Sequence, residues 1–221
     1  MNAPLKPRLI SEFIGTAFLL AAVIGSGIMG VNLAQGNTAV ALMANAVATG
    51  AILIVLITIL GPVSGAHFNP LVSAAMAWRG AMTWADAGLY TACQATGGCA
   101  GVLAAHAMFD LPLFQVSGTA RAGAGLWLAE IIATAGLLLT IFGCIARAPA
   151  ATPLCVGLYI TSAYWFTAST SFANPAVTFA RMFSDTFAGI APASAPAFML
   201  AQCAGLAAAL ALAKALWPDE A

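Results

Sequence analysis

The segments SGAHFNPL (Ser64–Leu71) and FANPAV (Phe172–Val177) each set an Asn-Pro step inside a long apolar stretch, and they occupy corresponding places in the two halves of the chain. Asn before Pro is a helix start. The carboxamide oxygen caps the first free backbone N–H groups, and Pro fits the first helical position, where its missing N–H costs nothing. A helix that begins in the middle of a lipid-buried segment must turn its freed backbone groups toward protein or a water-filled cavity. A matched pair of such starts therefore points to a passage at the membrane midplane.

Around these steps the chain of 221 residues is 62% hydrophobic and 6% charged, too apolar for ordinary solubility. No Asp, Glu, Lys or Arg occurs between Glu12 and Arg79, Arg147 and Arg181, or Asp185 and Lys214. Each gap exceeds the roughly 20 residues that span a bilayer. Six spans are placed at about 9–30, 38–60, 84–108, 125–146, 152–168 and 196–217, with Gly61 and Pro62 ending the second. The apolar stretches Val63–Trp78 and Ala168–Phe183 are too short to cross and suit re-entrant half-helices. The expected fold is an all-α membrane protein of six transmembrane helices plus two re-entrant half-helices, forming one channel domain over 1–221. The first apolar run holds Glu12 and lacks a convincing cleavage site, so it is read as a retained span rather than a signal peptide.

Glu12 corresponds to Glu130, Asn69 to Asn174 and Gln94 to Gln202. These pairs define a first repeat over 1–110 and a second over 120–221, and three spans per half require the second to lie inverted. Lys6, Arg8, Arg79, Arg147 and Lys214 fall on the side of the termini, with only Arg121 and Arg181 opposite, so both termini are expected in the cytoplasm. Lys+Arg and Asp+Glu balance at seven each, which leaves no basic face for nucleic acid. The five cysteines show no metal-ligand spacing and read as free thiols buried as small hydrophobes. With no Ser/His/Asp, Cys/His or ligand cluster, no enzyme activity, cofactor or metal is expected. Gly15, Gly97, Gly101, Gly125, Gly136 and Gly205 are expected where helices touch.

Two half-helices meeting head to head set the amides of Asn69 and Asn174 side by side, backed by the positive ends of two helix dipoles. Such a place offers donors to a neutral polar solute and repels cations and hydronium. With the duplicated Glu and Gln positions, the two segments resemble those of the aquaporin and aquaglyceroporin channels, and the resemblance runs across almost the whole chain. It implies a right-handed bundle in the lipid of a bacterial inner membrane, assembling as a homotetramer with one pore per protomer. Its motifs map onto Asn69-Pro70-Leu71, with Leu71 where Ala is usual at the pore wall, and onto Asn174-Pro175-Ala176.

The same resemblance places Thr49, Ser162, Ser171 and Val177 at the outer constriction and His67 on the inner pore wall. Val177 stands where most members carry an Arg. A ring of Thr, Ser, Ser and Val is wide, mildly polar and uncharged, and is similar to the bacterial branch associated with arsenic resistance. The implied solutes are small and neutral: water, glycerol, arsenite as As(OH)₃, and organic arsenicals. An ion-coupled secondary transporter and a water-selective aquaporin are the alternatives.

Glu12 and Glu130, as intramembrane acids, are expected to accept hydrogen bonds from the re-entrant loops. Arg181 is read as a cation at a half-helix C-terminus, snorkelling to the headgroups rather than replacing the filter Arg. His106 is read as interfacial. Trp78, Trp84, Trp127, Trp217 and Tyr90 are read as interface anchors, with Trp165 and Phe166 nearer the mouth.

Overall fold

The computed structural model describes residues 3–218. Its helices are α1 (Leu5–Leu33), α2 (Thr38–Ser64), α3 (Pro70–Trp78), α4 (Trp84–Met108), α5 (Ala124–Arg147), α6 (Thr152–Phe166), α7 (Pro175–Arg181) and α8 (Ala195–Leu216), with a 3-10 turn at Pro149–Ala151. Each half thus runs long, long, short, long. The fold is the six-helix, two-half-helix arrangement with an inverted repeat. Among the described residues, α1, α2, α5 and α8 are long and apolar enough to cross a bilayer. In α4, at 25 residues, Gly, Thr and Gln dilute the apolar content, and α6 is shorter than expected at 15 residues.

The expected stop at Gly61-Pro62 moves outward. Helix α2 runs through Pro62 to Ser64 and ends on Gly65, whose left-handed φ of 87° lets its N–H reach the Gly61 carbonyl at 2.9 Å. Pro62 removes one ladder donor within the last turn, and a glycine supplies the cap three residues on. The short helices begin at the prolines that follow Asn69 and Asn174.

Helices touch where side chains vanish. A Cβ on Gly97 or Gly101 of α4 would collide with the Phe13 and Ala17 carbonyls of α1. In the second half the counterpart is Gly205 of α8, where a Cβ would stand 2.6 Å from the Ile131 oxygen of α5. Gly157 of α6 meets the Gly50 oxygen of α2 at the same 2.6 Å. Lipid gives helices no hydrophobic reason to associate, so close backbone approach supplies it. Gly125 meets nothing within 4 Å and belongs to no such contact.

The start of α1 and the end of α8 lie on one face, the terminal face. Arg8, near the start of α1, pairs with Asp86 of α4 at 3.0 Å, and Trp217 packs beside Gly143 of α5. On the opposite face the α4–α5 and α7–α8 segments pair, Ser117 N donating to Met182 O at 2.9 Å and Ala191 N to Thr119 O at 2.7 Å. His106 is not interfacial. It is buried, with Nδ1 2.9 Å from the Leu113 carbonyl and Nε2 2.9 Å from Ser184 Oγ, and it ties these segments to α4. Tyr90 is likewise buried rather than an anchor, receiving the Arg8 Nε–H at 2.8 Å and donating to the Ser64 carbonyl at 2.9 Å. Of the cysteines only Cys144 is buried; the others are half-buried or exposed, and the apolar interior of a bilayer makes protein burial of a small hydrophobe unnecessary.

Candidate functional site

Two buried carboxylates hold the strands of chain that enter the short helices. Glu12 of α1 accepts the backbone N–H of His67 at 2.9 Å and of Phe68 at 2.7 Å, with the Ser64 hydroxyl at 2.7 Å and Gln94 Nε2 at 2.8 Å. Glu130 of α5 does the same in the second half, accepting Phe172 N and Ala173 N, both at 2.9 Å, and Gln202 Nε2 at 2.6 Å. A trans peptide whose N–H faces a glutamate turns the preceding carbonyl the other way. Those carbonyls belong to Ala66, His67, Ser171 and Phe172, and all four residues border the central cavity. The shape requires positive φ at Ala66, Phe68, Ser171 and Ala173, between 47° and 51°, at roughly 1–2 kcal/mol for each residue with a Cβ. Hydrogen bonds to a charged acceptor, roughly 1.5–3 kcal/mol each, offset that cost.

The two asparagines do more than cap. Asn69 Oδ1 accepts Leu71 N at 3.0 Å, and Asn174 Oδ1 accepts Ala176 N at 2.9 Å and Val177 N at 3.2 Å. Their amides cross: Asn69 Nδ2 donates to the Ala173 carbonyl and Asn174 Nδ2 to the Phe68 carbonyl, each at 2.8 Å. The expectation of wholly free amides is therefore corrected. One N–H of each is used between the loops, and the second remains for the cavity that both side chains border. Pro70 and Pro175 occupy the first helical position. Leu71 and Ala176 are buried but do not border the cavity, so Leu71 is no pore-wall change. His67 does border it, with Nδ1 3.0 Å from Ser73 Oγ.

The cavity, of about 330 Å³, runs from Ala81 and Thr152 near the terminal face, past both asparagines, to Thr49, Tyr164, Val177 and Arg181 toward the other. The long helices line it mostly with aliphatic residues, such as Leu53 of α2, Ile141 of α5 and Ile160 of α6. Thr49, Ser171 and Val177 border it, and Ser162 does not. Ser162 is exposed on the outer side of α6, its Oγ donating to Tyr159 O at 2.8 Å. Thr152, Val156, Ile160 and Tyr164 face inward at four-residue steps, and a position two residues from Ile160 and Tyr164 lies about 200° around the helix. From α6 it is Tyr164 rather than Ser162 that borders the cavity beside Thr49, its hydroxyl 3.1 Å from Thr49 Oγ1.

Arg181 is not at the headgroups. It is 2% exposed, its Nε donating to the Ala188 carbonyl and its guanidinium lying 3.4 Å from the centre of the Phe172 ring. It borders the central cavity and also a vestibule of about 420 Å³ on the face opposite the termini, shared with Arg121, Asn45 and Trp165. The expectation for Arg181 fails because segment 182–194 folds back over the end of α7, so that helix end is covered by protein rather than by lipid.

Over residues 2–171 the sequence matches the family model described as Major intrinsic protein. It is 52% identical to the aquaglyceroporin AqpS of Rhizobium meliloti (strain 1021) over 94% of this chain and 89% of that one. The probable aquaporin NIP4-2 of Arabidopsis thaliana is 34% identical over 63% of this chain and 49% of its own length. In fold, the chain is similar to the X-ray structure of the aquaglyceroporin from Plasmodium falciparum, with a TM-score of 0.79 over 98% of this chain and 99% of that chain, at 20% identity.

Proposed function

The chain belongs to the major intrinsic protein family, and from that premise we propose that it conducts small uncharged polyhydroxy solutes, glycerol and arsenite among them. Membership makes it a multi-pass membrane channel through which small solutes pass without coupled energy. The choice of solute is argued from the cavity.

The loops bring to that cavity the residues Ala66, His67, Ser171 and Phe172, whose carbonyls turn away from the glutamates, and Asn69 and Asn174 with their spare N–H groups; the long helices α1, α2, α5 and α6 line it mostly with aliphatic residues. A polyol has the same division, with hydroxyls that donate and accept on a carbon chain. As(OH)₃, neutral at neutral pH, presents three hydroxyls in a similar volume. This divided lining is the observation that carries the proposal. Val177 supports it, because an Arg there would narrow the ring and fix donors that select for a particular hydroxyl spacing. The ring is proposed as Thr49, Tyr164, Ser171 and Val177, and organic arsenicals and water complete the expected solutes. We further read the two repeats as 1–110 and 120–221. The assembly is read as a homotetramer in a bacterial inner membrane, with the basic-rich terminal face in the cytoplasm.

Stopped-flow measurements on proteoliposomes with water, glycerol, arsenite and a methylated arsenical test the proposal. Glycerol and arsenite are expected to enter well above the rate of protein-free liposomes, without saturation. Passage of water alone would overturn it and favour a second reading, a water-selective channel, for which the bulk of Tyr164 in the ring is the supporting observation.

A further inference from the structure

Arg121 and Arg181 are the basic residues on the face opposite the termini, and both border the 420 Å³ vestibule. Arg181 also borders the central cavity, so this residue lies between the two. Each is pinned by backbone rather than by an acid. Arg121 donates from Nε to Gly189 O at 2.8 Å and from Nη2 to Phe187 O at 3.3 Å, and Arg181 donates from Nε to Ala188 O. Both lie over the same Phe172 ring, at 5.2 Å and 3.4 Å from its centre, which fixes their planes by cation–π attraction. Among the described residues the ion pair recorded is Arg8–Asp86, at the far face, so neither charge is cancelled by a carboxylate in contact. The terminal nitrogens of Arg181 make no hydrogen bond to protein and are not among the sealed, unpartnered atoms. They are left to water and solute in the spaces they border.

A buried cation without a counter-ion in contact is costly to keep, and a helix C-terminus returns only a fraction of that cost. The dipole alone therefore does not account for Arg181. We propose that Arg181, backed by Arg121, is the charge filter of this channel, moved one helical turn outward from the position that Val177 occupies. Four residues along α7 is a rise of about 6 Å, which carries the guanidinium out of the ring and into the wider approach to it. Charge exclusion and size exclusion are thereby separated. The ring stays free of a fixed guanidinium, while cations meet two positive charges before they reach it.

The inference rests on the channel reading, and its test separates the two. Glycerol flux in proteoliposomes reads the channel; potassium efflux and decay of an imposed pH gradient read the charge filter. The unaltered protein is expected to pass glycerol and hold both ion gradients. Arg181→Gln is expected to leak potassium faster by on the order of tenfold, the effect of one unit charge about 10 Å away across an effective dielectric near 20. Arg181→Lys is expected to stay tight, and Val177→Arg added to Arg181→Gln to restore tightness while slowing glycerol. An Arg181→Gln channel that passes glycerol and holds both gradients overturns the proposal, and so does an Arg181→Lys channel as leaky as the Gln variant. Where Arg181→Gln is not recovered from the membrane, Arg121→Gln reads the second charge: a smaller leak supports the proposal and unchanged tightness refutes it. Failure of glycerol to pass the unaltered protein counts against the channel's proposed solutes and leaves the ion readings to decide the filter.

Discussion

Tyr164 and Thr49 place two hydroxyls 3.1 Å apart at one edge of the conduit, and a side chain of that size sets how much room a solute has. Tyr164→Ala is expected to raise the flux of polyols larger than glycerol more than that of water, and Ser162→Ala, on the exposed side of α6, to change neither; liposome swelling rates across a polyol series read both. Glu12 and Glu130 act through the loops. Changing either to Gln sets an amide N–H against a backbone N–H, and each donor orphaned in this way costs about 1–3 kcal/mol. Both variants are expected to melt several degrees lower in detergent and to keep the solute ranking; a changed ranking at unchanged melting temperature would contradict the supporting role. The asparagines and glutamates were legible in the sequence because each occurs twice in matched places. Tyr164 was not, because carrying a family position over to Ser162 follows distance along the chain and ignores the phase of α6, which the four-residue spacing of Val156, Ile160 and Tyr164 carries.

At the level of whole helices, contacts through missing side chains dominate. Gly101→Val would drive a branched side chain into the Ala17 carbonyl of α1, so the folded yield is expected to collapse, whereas Gly125→Ala, with nothing within 4 Å, is expected to behave as the parent. Fluorescence-detected size exclusion distinguishes the two. The long apolar spans and the Asn-Pro starts of α3 and α7 could be read from composition and capping rules. The approach to each start could not. Left-handed backbone at Ala66, Phe68, Ser171 and Ala173 falls on residues with no intrinsic preference for it. It is imposed from outside by carboxylates more than forty residues away. The covered end of α7 was hidden for a similar reason: local rules see a helix terminus and a cation, and only the return of segment 182–194 decides what that cation faces.

For the molecule as a whole, both matched acids are engaged by the loops they support, and neither borders the conduit. A coupled transporter needs an acid that exchanges its proton or ion with each cycle. Solute entry is therefore expected to follow the solute gradient alone and to be unchanged by imposed proton or sodium gradients of either sign; flux that tracks either gradient would favour the transporter. The crossed amides of Asn69 and Asn174 have a further consequence, for biogenesis. Each asparagine finds its acceptor on a loop from the other half of the chain, so the centre of the conduit cannot mature while synthesis has delivered only α1 to α4. Until the later helices insert, the first loop keeps an unmet donor at Asn69 Nδ2 and an unmet acceptor at the Phe68 carbonyl.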